Sequence, residues 1–322
     1  MFRLHVPTPV RNCVLALLFT GNLVAADIAP APAPSPAAAP ADPPVTPQPP
    51  PTPAPAPPAP LPAPMPTITF DAKGQGIVPD VLLPIINKRF VRADHTLDLE
   101  AVVKYFEDLY RSDSSIAEAQ LTVIKPNLER TLAMKSWSRG QDKALIIITD
   151  PPREKDTATL KVDKNLWNYL PRIKKTIRIP PSMMLSAWMG SDFTNDDLVR
   201  ESSFSKDYVY TLIGPSQNPP GWVVRFTAKE GVVGLWQKFD LVLSPDGTIP
   251  LESKWYDRKG ELARTLTWDQ VKEMDGKRIP CRLTLVPQDQ PGQKTIMVYS
   301  MIKFGAEVDE GKFSLTQLEQ QR

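Results

Sequence analysis

The chain is 322 residues long, with 38 lysines and arginines, 36 acids, two histidines and two cysteines. A balance this close to neutral argues against a nucleic-acid partner, which requires a strongly basic face. Loss of an N-terminal export signal would leave His95 and Cys281 as the one histidine and one cysteine, too few for a zinc site built from the usual ligands.

The N-terminus reads as an export signal. Arg3 and Arg11 form a thin basic region, Cys13–Phe19 is a short apolar run, and Val24 and Ala26 place small residues before Asp27. That layout predicts a cleaved secretory signal over residues 1–26 and export of the mature chain. The run is much shorter than the ~20 residues that span a bilayer, and Cys13 is wrongly placed for a lipoprotein signal. Cleavage after Ala26 would remove Arg3, Arg11 and Cys13, leaving a net charge near zero and Cys281 as the remaining cysteine. No internal disulfide is then available.

Residues 27–75 read as a linker, almost wholly Pro and Ala from Ala29 to Pro66. Such a composition cannot bury a core and favours polyproline II. At ~3.1 Å per residue it could reach on the order of 100 Å. Its readings are a solubilising spacer or a tether to a wall or membrane partner.

The remainder, residues 76–322, suits a single large β-rich domain. Thr96–Tyr110 carries Leu99, Val102, Val103, Phe106 and Leu109 at helical spacing, with Thr96 or Asp98 as the N-terminal cap. Beyond it the period changes to two. Ala117, Ala119, Leu121 and Val123 share a face, as do Trp222, Val224, Phe226 and Ala228, and later Cys281, Leu283 and Leu285. Further strands are expected near 129–138, 143–150, 157–163, 166–178, 206–213, 235–244, 248–256, 262–269 and 294–304. Turn signals such as Ser244–Thr248 and Asp257–Gly260 separate them. Strands joined by short turns imply an antiparallel meander, and one this large curls round something. The fold class is mainly β with helices (α+β): a large curved antiparallel sheet forming an incomplete barrel. Residues 97–110, the 180–199 region and the C-terminal FSLTQLEQQ are candidates to plug its concave side.

Chemistry is scarce. His95 lies at a helix entrance, where capping or surface roles are commoner than catalysis, and Cys281 opens an alternating strand as a small core residue. No phosphate-binding or dinucleotide glycine motif is present. Scattered carboxylates leave a glycosidase-like hydrolase as an open but unsupported class. No catalytic residue, metal or cofactor is assigned.

The segment Leu170–Asp197, LPRIKKTIRIPPSMMLSAWMGSDFTNDD, is the most unusual. Read as one strand, it puts Trp167, Tyr169, Ile173, Ile177 and Ile179 on one side and Arg172, Lys174 and Arg178 on the other. The basic row is either a solvated face or a docking strip for an acidic partner or anionic head groups. After Pro180 and Pro181, Ser182–Met189 can form two helical turns, with Met184, Leu185, Trp188 and Met189 in one apolar stripe. That stripe is either a core plug or an adaptable, ligand-facing lid. The acids of Ser191–Asp197 read as helix caps rather than metal ligands.

The order of these pieces resembles the LolA-like family of outer-membrane lipoprotein-sorting proteins. The resemblance rests on LWNYLPRIKKTIRIP, MGSDFTNDDL, DGTIPLESKWYDRKGELARTLTW, DGKRIP and FSLTQLE, and runs from about His95 to Gln320. It implies an incomplete barrel closed by helices and loops over an apolar cavity for acyl chains. It also makes an RND-type exporter the expected transporter partner. The residue inventory makes an enzyme the minority reading, and a monomer with transient membrane contact is expected. The cavity or lid candidates are Trp167, Tyr169, Met183, Met184, Leu185, Trp188, Met189, Phe193, Trp222 and Phe226. Arg172, Lys174 and Arg178 are the docking candidates. The alternative is a periplasmic scaffold that binds no lipid.

Overall fold

The computed structural model of the chain describes residues 68–70, 75–199, 204–231 and 236–319. The expected signal peptide and most of the Pro/Ala linker lie outside the described residues. A two-stranded ribbon of β1 (Thr69–Phe70) and β2 (Gly76–Ile77) leads into α1 (Leu99–Asp108). The meander follows: β3 (Ser114–Lys125), β4 (Leu128–Arg139), β5 (Lys143–Asp150), β6 (Ala158–Val162), β7 (Asn165–Leu170) and β8 (Lys175–Arg178). After α2 (Asn195–Val199) and α3 (Phe204–Asp207) come β9 (Tyr208–Gln217), β10 (Pro220–Ala228), β11 (Lys238–Leu243) and β12 (Pro250–Tyr256). β13 (Leu262–Met274), β14 (Lys277–Pro287), β15 (Lys294–Phe304) and α4 (Leu315–Glu319) complete the chain.

Strands β3–β15 form one antiparallel sheet of 13 strands, in the order β8-β7-β6-β5-β4-β3-β15-β14-β13-β12-β11-β10-β9. The sheet does not close. β8 and β9 are its edges, and β3 pairs with β15 at its centre. The expected incomplete barrel is therefore the fold.

The period-two readings hold because one face of each strand is buried. Ala117, Ala119, Leu121, Val123, Trp222, Val224, Phe226, Cys281, Leu283 and Leu285 all enter the main core on the inner face. Asp98 caps α1, its carboxylate accepting from the Ala101 amide at 3.1 Å. Val102, Val103 and Phe106 pack inward from the helix. The core reaches back to Ile68, N-terminal of the domain start expected at Gly76.

Three expectations need correction. The strand expected over 166–178 is two strands, β7 and β8, reversed through Pro171–Lys174, where Lys174 takes φ 50°. The reversal changes which residues share a face. Trp167 pairs with Arg178, Asn168 with Ile177 and Tyr169 with Thr176. Arg178 therefore lies on the face of Trp167 and Tyr169, and Ile177 on the opposite, inner face. Second, Ser182–Met189 is not two helical turns. Short 3-10 turns at Pro181–Met183 and Trp188–Gly190 flank an extended Ala187 that bridges Thr194. Third, the C-terminal segment does not plug the inner side. Phe313 and Leu318 join Leu145, Ala158, Leu160 and Tyr169 in a separate cluster. Leu145 alternates with the inward Ile146, so this cluster covers the outer face.

Candidate functional site

Two segments cover the inner face. The first, the N-terminal cover, runs from residue 75 to Asp98 and continues into α1. Its backbone bonds run mainly within itself: Val78 N to His95 O at 2.9 Å, Leu97 N to Gly76 O at 2.8 Å, and Asp98 N to Phe90 O at 2.7 Å. A backbone bond from Asn87 N to Asp246 O, 3.1 Å, ties it to the β11–β12 turn. Otherwise it rests on the sheet through apolar side chains, including Leu82, Ile86 and Phe90.

That turn is shaped to receive Phe90. The Asp246 carboxylate accepts from the Ser244 hydroxyl, and from the Thr248 amide at 3.1 Å and hydroxyl at 2.7 Å. Burial would raise this carboxyl's pKa, but the bonds from Ser244 and Thr248 outweigh it and hold the group below the usual carboxylate range. Gly247 sits at φ +76°, and a Cβ there would lie 3.1 Å from the Phe90 ring. Both the backbone conformation and the close approach call for glycine.

Beneath this cover lies an apolar pocket of about 300 Å³ of empty space, its open mouth included. The N-terminal side contributes Ile68, Ile86, Phe90 and Leu97, and α1 contributes Leu99 and Val102. The sheet contributes Leu212 from β9, Trp222 and Val224 from β10, Leu243 from β11, and Gly247 from the turn. All are hydrocarbon or glycine except Trp222, and its indole N–H already donates to Pro245 O at 2.9 Å. The lining offers dispersion contact and no acid, base or nucleophile. The empty space counts the gaps between lining atoms as well as the open mouth. The enclosed room is far smaller than the ~300–1,000 Å³ of ligand pockets, so the site is nearly closed with the cover in place.

The second segment, the strap of residues 180–199, is fixed by polar contacts. Asp197 and Arg264 form a bidentate pair at 3.1 and 3.2 Å, with side chains 0% and 6% exposed. The guanidinium also sits over Trp236 and Trp255, 4.8 and 5.7 Å from their ring centres. Burial raises the Asp197 pKa, while the Arg264 charge and the bonds from Arg264 and Thr194 oppose that rise. Thr194 and Asp197 exchange a capping box: Thr194 N donates to the carboxylate at 2.8 Å, and Asp197 N donates to the Thr194 hydroxyl at 3.2 Å. The acids of this stretch thus include the expected helix cap. Asp192 N donates to Thr295 on β15 at 2.9 Å, and the Trp188 indole donates to Thr159 on β6 at 3.1 Å.

The sequence candidates separate accordingly. Trp222 lines the pocket. Phe226, fully buried, stacks on Phe239 at 4.3 Å within an aromatic column that continues to Trp255. Trp188 and Phe193 are fully buried in the strap. Met184 and Met189 are half-buried against the core, while Met183 and Leu185 are exposed. Trp167 and Tyr169 lie in the outer-face cluster. Arg172, Lys174 and Arg178 are exposed on the β7–β8 hairpin. Sequence reasoning missed Ile86, Phe90, Leu212 and Gly247. The one signal it had was the Ser244–Thr248 turn, read only as a turn.

Among the described residues no helix is long and apolar enough to cross a membrane, and no cluster of potential metal ligands occurs. No curated protein matches the sequence. Several solved structures share the fold. A DUF1329 family protein from Desulfovibrio piger superposes with TM-score 0.61 at 20% identity, over 67% of this chain and 96% of its own. A domain named as an outer membrane lipoprotein-sorting protein from Vibrio parahaemolyticus gives 0.56 at 23% identity, over 64% and 92%. A LolA superfamily protein from Nitrosomonas europaea gives 0.56 at 20%, over 68% and 98%. These likenesses establish a LolA-like fold. A family model whose description reads "Uncharacterized protein" matches residues 140–320, more than half of the chain, and the chain belongs to that family.

Proposed function

We propose that the domain is a periplasmic carrier that shelters an acyl chain of a lipid or lipoprotein in the pocket beneath the N-terminal cover. The observation that carries this reading is the lining itself: hydrocarbon contributed by cover, helix and three strands, with its single polar group already bonded. An acyl chain exposed to water costs about 0.8 kcal/mol per CH₂, so a mobile lipid needs such a wall to cross an aqueous compartment. The pocket is small for a long chain, and the cover would have to lift for one to enter. Apolar contacts let it do so without stranding buried charges. The head group would stay at the mouth, since no lining side chain is charged. An RND-type inner-membrane transporter is the partner class that fits a carrier of this kind.

The test is binding of a fluorescent fatty acid to the purified chain, compared with Leu212→Trp and Leu99→Trp. Both positions are half-buried on the lining, so indoles there would fill the pocket. Saturable binding by the parent, weakened about tenfold or more in the folded variants, is expected. Equal binding by parent and variants would move the site elsewhere. No binding at all would favour the scaffold reading.

A further inference from the structure

We infer that the β7–β8 hairpin and the exposed start of the strap form a docking surface for an anionic lipid bilayer, separate from the acyl pocket. Residues 172–187 run from the hairpin turn through the sheet-edge strand β8 into the strap, and nearly all are exposed. Arg172, Lys174, Lys175 and Arg178 lie within seven positions, and no acid occurs between Arg172 and Ala187. Among the described residues none of the four takes part in an ion pair; Arg178 donates to the Asn165 amide oxygen. Interleaved with these cations are large apolar side chains facing water: Ile173 at 56% and Ile177 at 43% exposed, then Met183 at 48% and Leu185 at 37%.

The register sets the orientation. Ile177 ends the inner row that crosses the sheet through Ser136, Ile146, Thr159 and Asn168. Arg178 ends the outer row with Trp167. Glu319 of α4 accepts from Thr176 at 2.7 Å on that outer side. The inner side and the turn therefore present Lys174, Lys175, Ile173 and Ile177, and neither lysine takes part in an ion pair among the described residues.

A bilayer fits this better than a protein. A second copy or an added strand would pair along β8, but that edge is four residues long and carries Lys175 and Arg178. Short, charged edges resist such pairing. Alternating cations and apolar side chains instead match phosphate head groups over an acyl boundary. Stable but reversible attachment needs both contributions.

The experiment is co-sedimentation of the full chain with phosphatidylglycerol-rich vesicles and with pure phosphatidylcholine vesicles, at low and high salt. The expected result is binding to phosphatidylglycerol alone, weakened by salt. Each surface cation contributes roughly fivefold, so Lys174→Glu/Lys175→Glu should bind about 25-fold or more weakly. Ile173→Ser/Met183→Ser should lose the binding that survives in salt. Lys174→Gln/Lys175→Gln repeats the charge test should the reversal fail to fold. Vesicle binding equal for the two lipids, absent from the parent, or unchanged in the variants would overturn the inference. Capture of an acidic protein without vesicle binding would do the same. Leu212→Trp should keep vesicle binding, and the hairpin variants should keep fatty-acid binding, so the two proposals fail separately.

Discussion

The N-terminal cover and the strap lie over the inner face of the same sheet but are held by different forces. The strap is pinned to β4, β6, β13 and β15 by directional bonds: Arg130 to Met189 O, Trp188 to Thr159, Arg264 to Asp197, and Asp192 with Thr295. The cover bonds mostly to itself and meets the sheet through Leu82, Ile86 and Phe90. The cover encloses the described pocket, and no strap residue lines it. Moving the strap would leave a guanidinium buried without its carboxylate, whereas moving the cover exchanges one apolar contact for another. A movable lid is built from non-directional contacts, and a fixed one from polar pins.

The comparison can be broken most forcefully at the ion pair. Asp197→Ala leaves Arg264 buried and unpaired, and should cost about 3–5 kcal/mol by denaturant titration. Replacing both partners, as Asp197→Leu/Arg264→Met, should recover most of that loss. A single variant as stable as the parent would show that the strap is not pinned there. Trp188→Ala should cost a similar ~3–5 kcal/mol, since it removes a fully buried indole. If that side chain belonged to a lifting lid, the cost would be small.

A gentler contrast comes from native-state hydrogen exchange. Amides of the cover, such as Val78 and Leu97, should exchange by local opening well before the strap amides of Trp188, Asn195 and Asp197. Equal protection would remove the basis for calling one segment movable.

The smallest expected effect is with pH. The folded-state pKa of Asp246 is depressed, so its stabilising contribution is present above its unfolded value, near 3.8, and is lost as pH falls through the folded value. The pKa of Asp197 is raised by burial, so its contribution is retained below the unfolded value and is lost as pH rises through the folded one. Acidification to below about pH 4 should therefore loosen the turn that receives Phe90 without releasing Asp197 first. Exchange measured at acid and neutral pH checks the order.

The sheet was legible because its strands bury one face, so the alternation of Trp222, Val224 and Phe226 carried a physical cause. The capped helix at Asp98 was legible for the same reason. The hairpin within 166–178 was not, because no glycine marks the reversal and Lys174 itself adopts the left-handed conformation. The strap looked like a lid from composition alone. Its fixity depends on Arg264, 67 positions away in the chain from Asp197, which no local pattern reveals. The pocket was hidden for a similar reason: its lining gathers from five separated stretches, and the Phe90–Gly247 contact exists only after the sheet has folded.

The central claim is that an acyl chain lies under the cover, and photo-crosslinking tests it most directly. A fatty acid carrying a photoreactive group near its methyl end would be bound to the full chain, irradiated, and the adducts mapped by peptide mass spectrometry. The account predicts adducts on the α1 stretch around Leu99 and Val102 and on β9–β10 around Leu212 and Val224, lost when Leu212→Trp fills the pocket. Adducts confined to Met183–Met189, or to the outer-face residues Trp167 and Tyr169, would contradict it.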